Sequence, residues 1–274
     1  MPYITPFITA IDSNFLSKSN TGLGNVLFQV ASVYGISKML GVPCTFPRLK
    51  VYIEKLKRLF DYNHGDTIFR NFKTLYNSES SFKIITEKQG SNKIVDNNLI
   101  TQILNSKENI CIYGYLESIN YFIDISSEIQ ELFSCDDKTR EYIMGKYSEV
   151  FNSGRDIVSV HFRTDYENTW YTNDMDYYRK ALKYMCDNLN NPLFLIFSDC
   201  LDKVNYDIFG DLDIVKIKEP IDYIEMYIMS FCHHNIINVS TFGWWGAFLN
   251  KNTNKIVLYD KRLTFESLNI FTGL

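Results

Sequence analysis

The chain has 274 residues, 46% of them hydrophobic, enough to bury a large core in one large domain or two modest ones. Its formal net charge of -4 and pI near 5.6 exclude the basic footprint of a nucleic-acid-binding domain, and 15% aromatic content excludes a disordered chain. No uncharged run approaches the roughly 20 residues of a membrane span.

The N-terminus, M-P-Y-I-T-P-F-I-T-A-I, carries no basic leader, and P-F-I-T-A-I at 6–11 predicts a strand. T-G-L-G-N at 21–25 then opens a helix whose apolar face is Leu27, Val30, Ala31 and Tyr34, ended by Gly41 and Pro43. Residues 51–106 are charged and rich in Asn and Ser, with mixed signals. N-I-C-I-Y-G-Y at 109–115 predicts another strand, and 124–134 an amphipathic helix capped by Ser126 or Ser127. The polar stretch around Ser148–Asp156 is the best domain boundary, which divides the chain into 1–150 and 151–274.

Beyond that boundary the pattern is clearer. Apolar runs predict strands at 157–162, 193–198, 213–217, 235–239 and 255–259. Between them, Tyr178, Ala181, Leu182, Met185 and Leu189 fall on one helical face, with Asp174 or Asp176 as the cap. Ile224, Tyr227, Ile228 and Phe231 mark a second helix, and 243–249 a third. Strands alternating with helices imply a parallel, doubly wound α/β sheet.

Such sheets bind ligands beyond the carboxyl ends of their strands. His161, Arg163 and Asp165 leave the first of these strands, Ser198 and Asp199 the second, and Ser240 and Thr241 the fourth. Arg163, a planar multi-donor cation, suits a diphosphate; the alternative is a surface pair with Asp165. Ser240 and Thr241 precede a helix and could hold phosphate or simply cap it, with Trp244 and Trp245 in the core. Glycines 22 and 24 and Asn25 fit either an anion-binding loop or an ordinary helix entry. The D-x-D triplets Asp174–Asp176 and Asp211–Asp213 read as a cap and a turn before they read as metal sites. The six cysteines lie far apart with no C-x-x-C pair, as reduced thiols of a cytoplasmic protein would. The N-V-S sequon at 238–240 reads as structural.

Three blocks in order resemble a known family. G-L-G-N-V-L-F-Q-V-A is similar to the G-x-G-N-Q-L-F-Q-Y-A opening of the α-1,2-fucosyltransferases, glycosyltransferase family 11. V-S-V-H-F-R-T-D-Y resembles their H-x-R-R-x-D-Y motif, one residue short here and with Arg163 its single arginine. N-V-S-T-F-G-W-W-G-A-F-L resembles their closing N-S-S-F-S-W-W-G-A-W-L block, and Y-G-Y-L-E-S-I-N-Y-F, Y-Y-R-K-A-L and I-F-S-D are weaker matches.

The resemblance implies a GT-B-type fold of two Rossmann-like domains facing a cleft, with the N-terminal domain on the acceptor side. It implies an inverting, metal-independent transfer of L-fucose from GDP-fucose to a glycan hydroxyl, the 2-OH of a galactoside, with no cofactor. It sets Arg163 on the β-phosphate, His161 near the guanine and Asp199 at the guanine edge. Gly22, Gly24, Asn25, Ser240, Thr241 and Phe242 complete the nucleotide-sugar contacts, and Asp165 is the candidate base. The expected partners are nucleotide sugar and acceptor oligosaccharide, with a homo-oligomer left open. The alternatives are a transferase of the same fold with another nucleotide sugar, or a silent nucleotide-sugar-binding protein. A Rossmann oxidoreductase fits less well, because G-x-G-N lacks the third glycine of the dinucleotide fingerprint.

Overall fold

The computed structural model describes residues 2–8, 22–46, 50–53, 58–63, 67–72, 81–88, 95–164, 173–260 and 271, with only the backbone described in 50–53 and 58–63. The chain divides into two compact units, the first running to Asp136 and the second beginning at Asp137.

The first unit opens with β1 (Ile4–Pro6), earlier and shorter than the expected run 6–11. Pro6 is its last residue, although the Phe7 N–H still donates to Ile112 O at 2.7 Å; the rest of the expected strand, 9–11, lies outside the described residues. Helix α1 (Leu23–Leu40) follows and buries Leu27, Phe28, Val30, Ala31, Val33 and Ile36. It stops at Gly41, whose left-handed φ of 66° lets its N–H return to Ser37 O. Strands β2 (Lys50–Ile53) and β3 (Arg58–Asn63) pair antiparallel. Strand β4 (Lys83–Thr86), helix α2 (Asn97–Leu104), strand β5 (Ile110–Tyr113) and helix α3 (Ser126–Leu132) complete the unit. Ser126 is the first helical residue of α3 and not its cap, because a 3-10 turn at Ile123–Ile125 feeds the helix directly.

The parallel sheet has the order β1-β5-β4. One edge of α1 ties down the segment after β5. Gln29 Nε2 donates to Gly114 O at 2.8 Å and Ser32 Oγ to Leu116 O at 2.9 Å. One turn further, a Cβ on Gly35 would lie 2.0 Å from Tyr121 O, so only glycine admits this approach.

The second unit begins with α4 (Asp137–Lys146) and α5 (Ser148–Phe151). Then come β6 (Ile157–Phe162), α6 (Met175–Asn188), β7 (Leu193–Ser198), β8 (Ile214–Lys216), α7 (Asp222–Phe231), β9 (His234–Ile237), α8 (Thr241–Leu249) and β10 (Val257–Tyr259). All five strands expected in this half are present and parallel, in the order β10-β9-β6-β7-β8. Strand β6 is buried along its whole length, as is β7 but for Ser198, which explains their continuous apolar runs. Phe194, Ile196, Val160 and Phe162 pack with Tyr178, Leu182 and Met185 of α6, each contributing about 1.5–3 kcal/mol of burial.

Helix α4 belongs to this unit for a physical reason. Arg140 lies 4.7 Å from the centre of the Phe231 ring of α7. The buried carboxylate of Glu219 accepts from Lys146 Nζ at 2.7 Å, Tyr147 Oη at 2.6 Å and Tyr142 Oη at 3.0 Å. The division therefore falls at 136/137, ahead of the polar stretch 148–156.

Candidate active site

Strand order reverses beside β6, which has its sequence neighbour β7 on one flank and β9 on the other. In open α/β sheets the crevice at such a point is where ligands bind. His161 is the penultimate residue of β6 and 4% exposed. Its Nδ1 lies 2.8 Å from Asn238 Oδ1, just beyond β9. Asn238 Oδ1 can only accept, so Nδ1 carries the proton and Nε2 a lone pair. Burial pushes the imidazole down to about 4, with the nearby Arg163 charge adding to the effect, so the ring is neutral at pH 7.

Arg163 leaves the strand end on a tightly held segment. Its backbone N–H donates to Asn173 Oδ1 at 3.2 Å, and Asn173 Nδ2 donates to Arg163 O at 2.9 Å. Asn238 Nδ2 donates to the same Asn173 oxygen at 3.3 Å. Asp199, at the end of β7, accepts from Thr164 N at 2.7 Å and Thr164 Oγ1 at 2.9 Å through Oδ1. Its other oxygen lies 3.4 Å from Arg163 Nε, the two side chains being 20% and 35% exposed. Asp199, given the guanine edge by the family resemblance, is thus already engaged with the 163–164 segment.

The first turn of α8 backs onto His161. A Cβ on Gly243 would meet the His161 Nδ1 at 3.0 Å, and the Phe242 ring centre stands 5.6 Å from the imidazole. Ser240 occupies the N-cap position in an extended conformation, but its side chain makes no capping bond. Trp244 and Trp245 are fully buried.

Helix α6 closes the rim from behind. Tyr178 Oη donates to His161 O at 2.6 Å. Tyr177 Oη lies 2.7 Å from Ile237 O and 2.8 Å from Leu258 O. Two adjacent tyrosines thereby donate to backbone carbonyls at the carboxyl ends of β6, β9 and β10.

His161, Arg163, Asp199, Ser240, Thr241 and Phe242 therefore gather at one sheet edge. Asp165 lies outside the described residues. Gly22, Gly24 and Asn25 belong to the first unit, where Gly22 O accepts from Asn25 N at 3.0 Å at the start of α1. The D-x-D aspartates have structural work: Asp174 caps α6 through the amides of Asp176 and Tyr177, Asp176 pairs with Arg179, and Asp213 with Arg155. Asn238 of the sequon is buried in the site network. Sequence reasoning missed Asn173, Asn238 and Thr164. The only local signals were an Asn directly before a helix cap and another directly after a strand.

The family model for Glycosyl transferase family 11 matches residues 8–266. The chain belongs to that family. It is 23% identical to the O-antigen biosynthesis glycosyltransferase WbnK of Escherichia coli over 88% of this chain and 92% of the relative. It is 28% identical to an α-1,2-colitosyltransferase of Escherichia coli over 52% of each protein. Among solved structures, the NodZ α-1,6-fucosyltransferase of Bradyrhizobium, soaked with GDP-fucose, superposes with a TM-score of 0.52 at 14% identity, over 90% of this chain and 92% of that one. The family 11 chain thus has the α/β fold of GT-B-type glycosyltransferases, and it is a glycosyltransferase. Among the described residues no helix is long and apolar enough to cross a membrane.

Proposed function

We propose that this family 11 protein transfers L-fucose from GDP-fucose to the 2-OH of a galactoside, with inversion at the anomeric carbon. The observation that carries the reading is Arg163, held by Asn173 at the carboxyl edge of the second sheet, the edge at which α8 also starts. In the transfer, the bond from the anomeric carbon to the diphosphate oxygen breaks and its electrons go to the β-phosphate. Arg163 and the α8 amides oppose that growing negative charge, and fixed donors of this kind dominate many enzymatic rate enhancements. The acceptor hydroxyl attacks from the opposite face and loses its proton, with Asp165 the candidate base. Neutral His161 offers Nε2 as an acceptor to an N–H or O–H of the nucleoside. The donor brings its own leaving group, so the step calls for no cofactor.

A second reading, GDP-colitose as donor, is favoured by the colitosyltransferase relative. Colitose is fucose without the 3-OH, so both sugars would use the same diphosphate grip. Thermal shift and transfer assays with GDP-fucose, GDP-colitose, GDP-mannose and UDP-galactose, with products read by mass, decide between them. Arg163→Ala should lower kcat/KM by about 10²–10³, and Arg163→Lys should restore little, because an ammonium cannot grip two oxygens with fixed geometry. Near-normal kcat/KM in Arg163→Ala would defeat the proposal.

A further inference from the structure

The carboxyl edge of the first unit's sheet carries a second constellation that the diphosphate chemistry does not use. Tyr113 ends β5 and is 45% exposed; Tyr115, two residues on, is 55% exposed. Phe7, just after β1, meets the Tyr113 ring edge-on at 5.3 Å. Glu87 follows β4 and Glu117 follows β5 at the same edge.

The segment that presents these rings is fixed. Leu116 is fully buried in a left-handed conformation with φ of 52°. Its N–H donates to Glu87 Oε2 at 2.9 Å and its carbonyl accepts from Ser32. Gly114 must be glycine, because a Cβ there would lie 2.6 Å from both Cβ and Oε2 of Glu87. Glu117 is half-buried and makes no hydrogen bond among the described residues; burial, with the Glu87 charge beside it, pushes its carboxyl up to about 7. Gln29, 6% exposed and donating to Gly114 O, keeps a buried Oε1 with no hydrogen-bond partner. A carboxyl with no hydrogen-bond partner among the described residues thus shares this rigid turn with two exposed rings, while the buried Gln29 oxygen stays out of reach of a surface ligand.

An anion is a poor occupant, since both charged side chains here are carboxylates. An apolar peptide would leave the Glu117 carboxyl unmet. A neutral pyranose suits the rings and the carboxyl together: its C–H face stacks on an aromatic ring, and its hydroxyls pair with the carboxyl. Resting on the reading of the protein as a transferase to galactosides, we propose that Tyr113, Tyr115 and Glu117 form a binding site for a hexopyranose unit of the acceptor glycan. Tyr115 supplies the stacking face, Glu117 the hydroxyl partner, and Glu87 with Gln29 the rigid support.

The test compares the full chain with Tyr115→Ala, Tyr115→Phe and Glu117→Gln. The acceptors are methyl β-galactoside and N-acetyllactosamine with GDP-fucose, and the GDP-induced shift in Tm is read in parallel. Tyr115→Ala and Glu117→Gln should raise acceptor KM at least tenfold, Tyr115→Phe should stay within twofold of the parent, and all three should keep the GDP shift. Acceptor KM within twofold in both Tyr115→Ala and Glu117→Gln overturns the proposal, as does loss of the GDP shift along with the KM effect. A parent protein that responds to GDP yet transfers to neither glycoside also overturns it. A parent protein that does not respond to GDP at all sinks the donor reading instead.

Discussion

Asn173 holds Arg163 by both of its backbone groups, accepting its N–H at 3.2 Å and donating to its carbonyl at 2.9 Å. The amide thus does for one residue what a neighbouring strand would do, and it extends the order of β6 past its last ladder bond. Asn173→Asp tests this sharply, because a carboxylate still accepts but cannot donate. We expect donor KM to rise about fivefold in Asn173→Asp, which loses one bond, and about thirtyfold in Asn173→Ala, which loses both, at roughly 1 kcal/mol each. Steady-state kinetics with GDP-fucose checks it; a parent-like KM in both variants would show the bracket to be dispensable.

Gly243 lets α8 start against the imidazole. In Gly243→Ala the new methyl would sit 3.0 Å from His161 Nδ1 and 3.5 Å from the Ile237 Cβ. The ring cannot move freely, because Asn238 holds that same nitrogen. Overpacking of this kind costs about 1–3 kcal/mol. The expected result is GDP affinity five- to fiftyfold weaker by calorimetry, with the fold retained by circular dichroism. Unchanged affinity would mean that neither His161 nor the α8 start touches the nucleotide.

His161 should leave a mark on the pH dependence of stability. Its folded value near 4 lies below the ordinary 6.5. Between those two pH values the unfolded chain takes up a proton that the native imidazole refuses. Stability is therefore full above pH 6.5 and falls as pH drops towards 4, by up to about 3 kcal/mol. Chemical denaturation at pH 7 and pH 5 should show a smaller difference in His161→Gln than in the parent. An equal difference would assign the acid sensitivity to other groups, such as His234, whose value burial also lowers.

The second unit was legible because its chemistry is periodic. Buried parallel strands read as unbroken apolar runs, and α6 shows one apolar stripe. The first unit was not, because β1 has three residues and β4 four, too few for a period to appear. His161, Arg163, Asp199 and Ser240 could be located because strand ends mark a rim. Their supports could not. Asn238 meets His161 across 77 positions, and Asn235 joins Ser159 across 76. Such pairs obey no spacing, and a buried asparagine looks in sequence like any turn residue.

The place of β6 between β7 and β9 sets a timetable for synthesis. The ribosome releases Arg163 and Asp199 well before residue 234, where β9 begins. Until β9 docks, one flank of β6 is a bare edge flanked by Val158 and Val160, the sort of surface that chaperones shield and that otherwise aggregates. A nascent chain halted at that stage carries the guanidinium but neither Asn238 nor α8, so under the proposed function its nucleotide site is only half built.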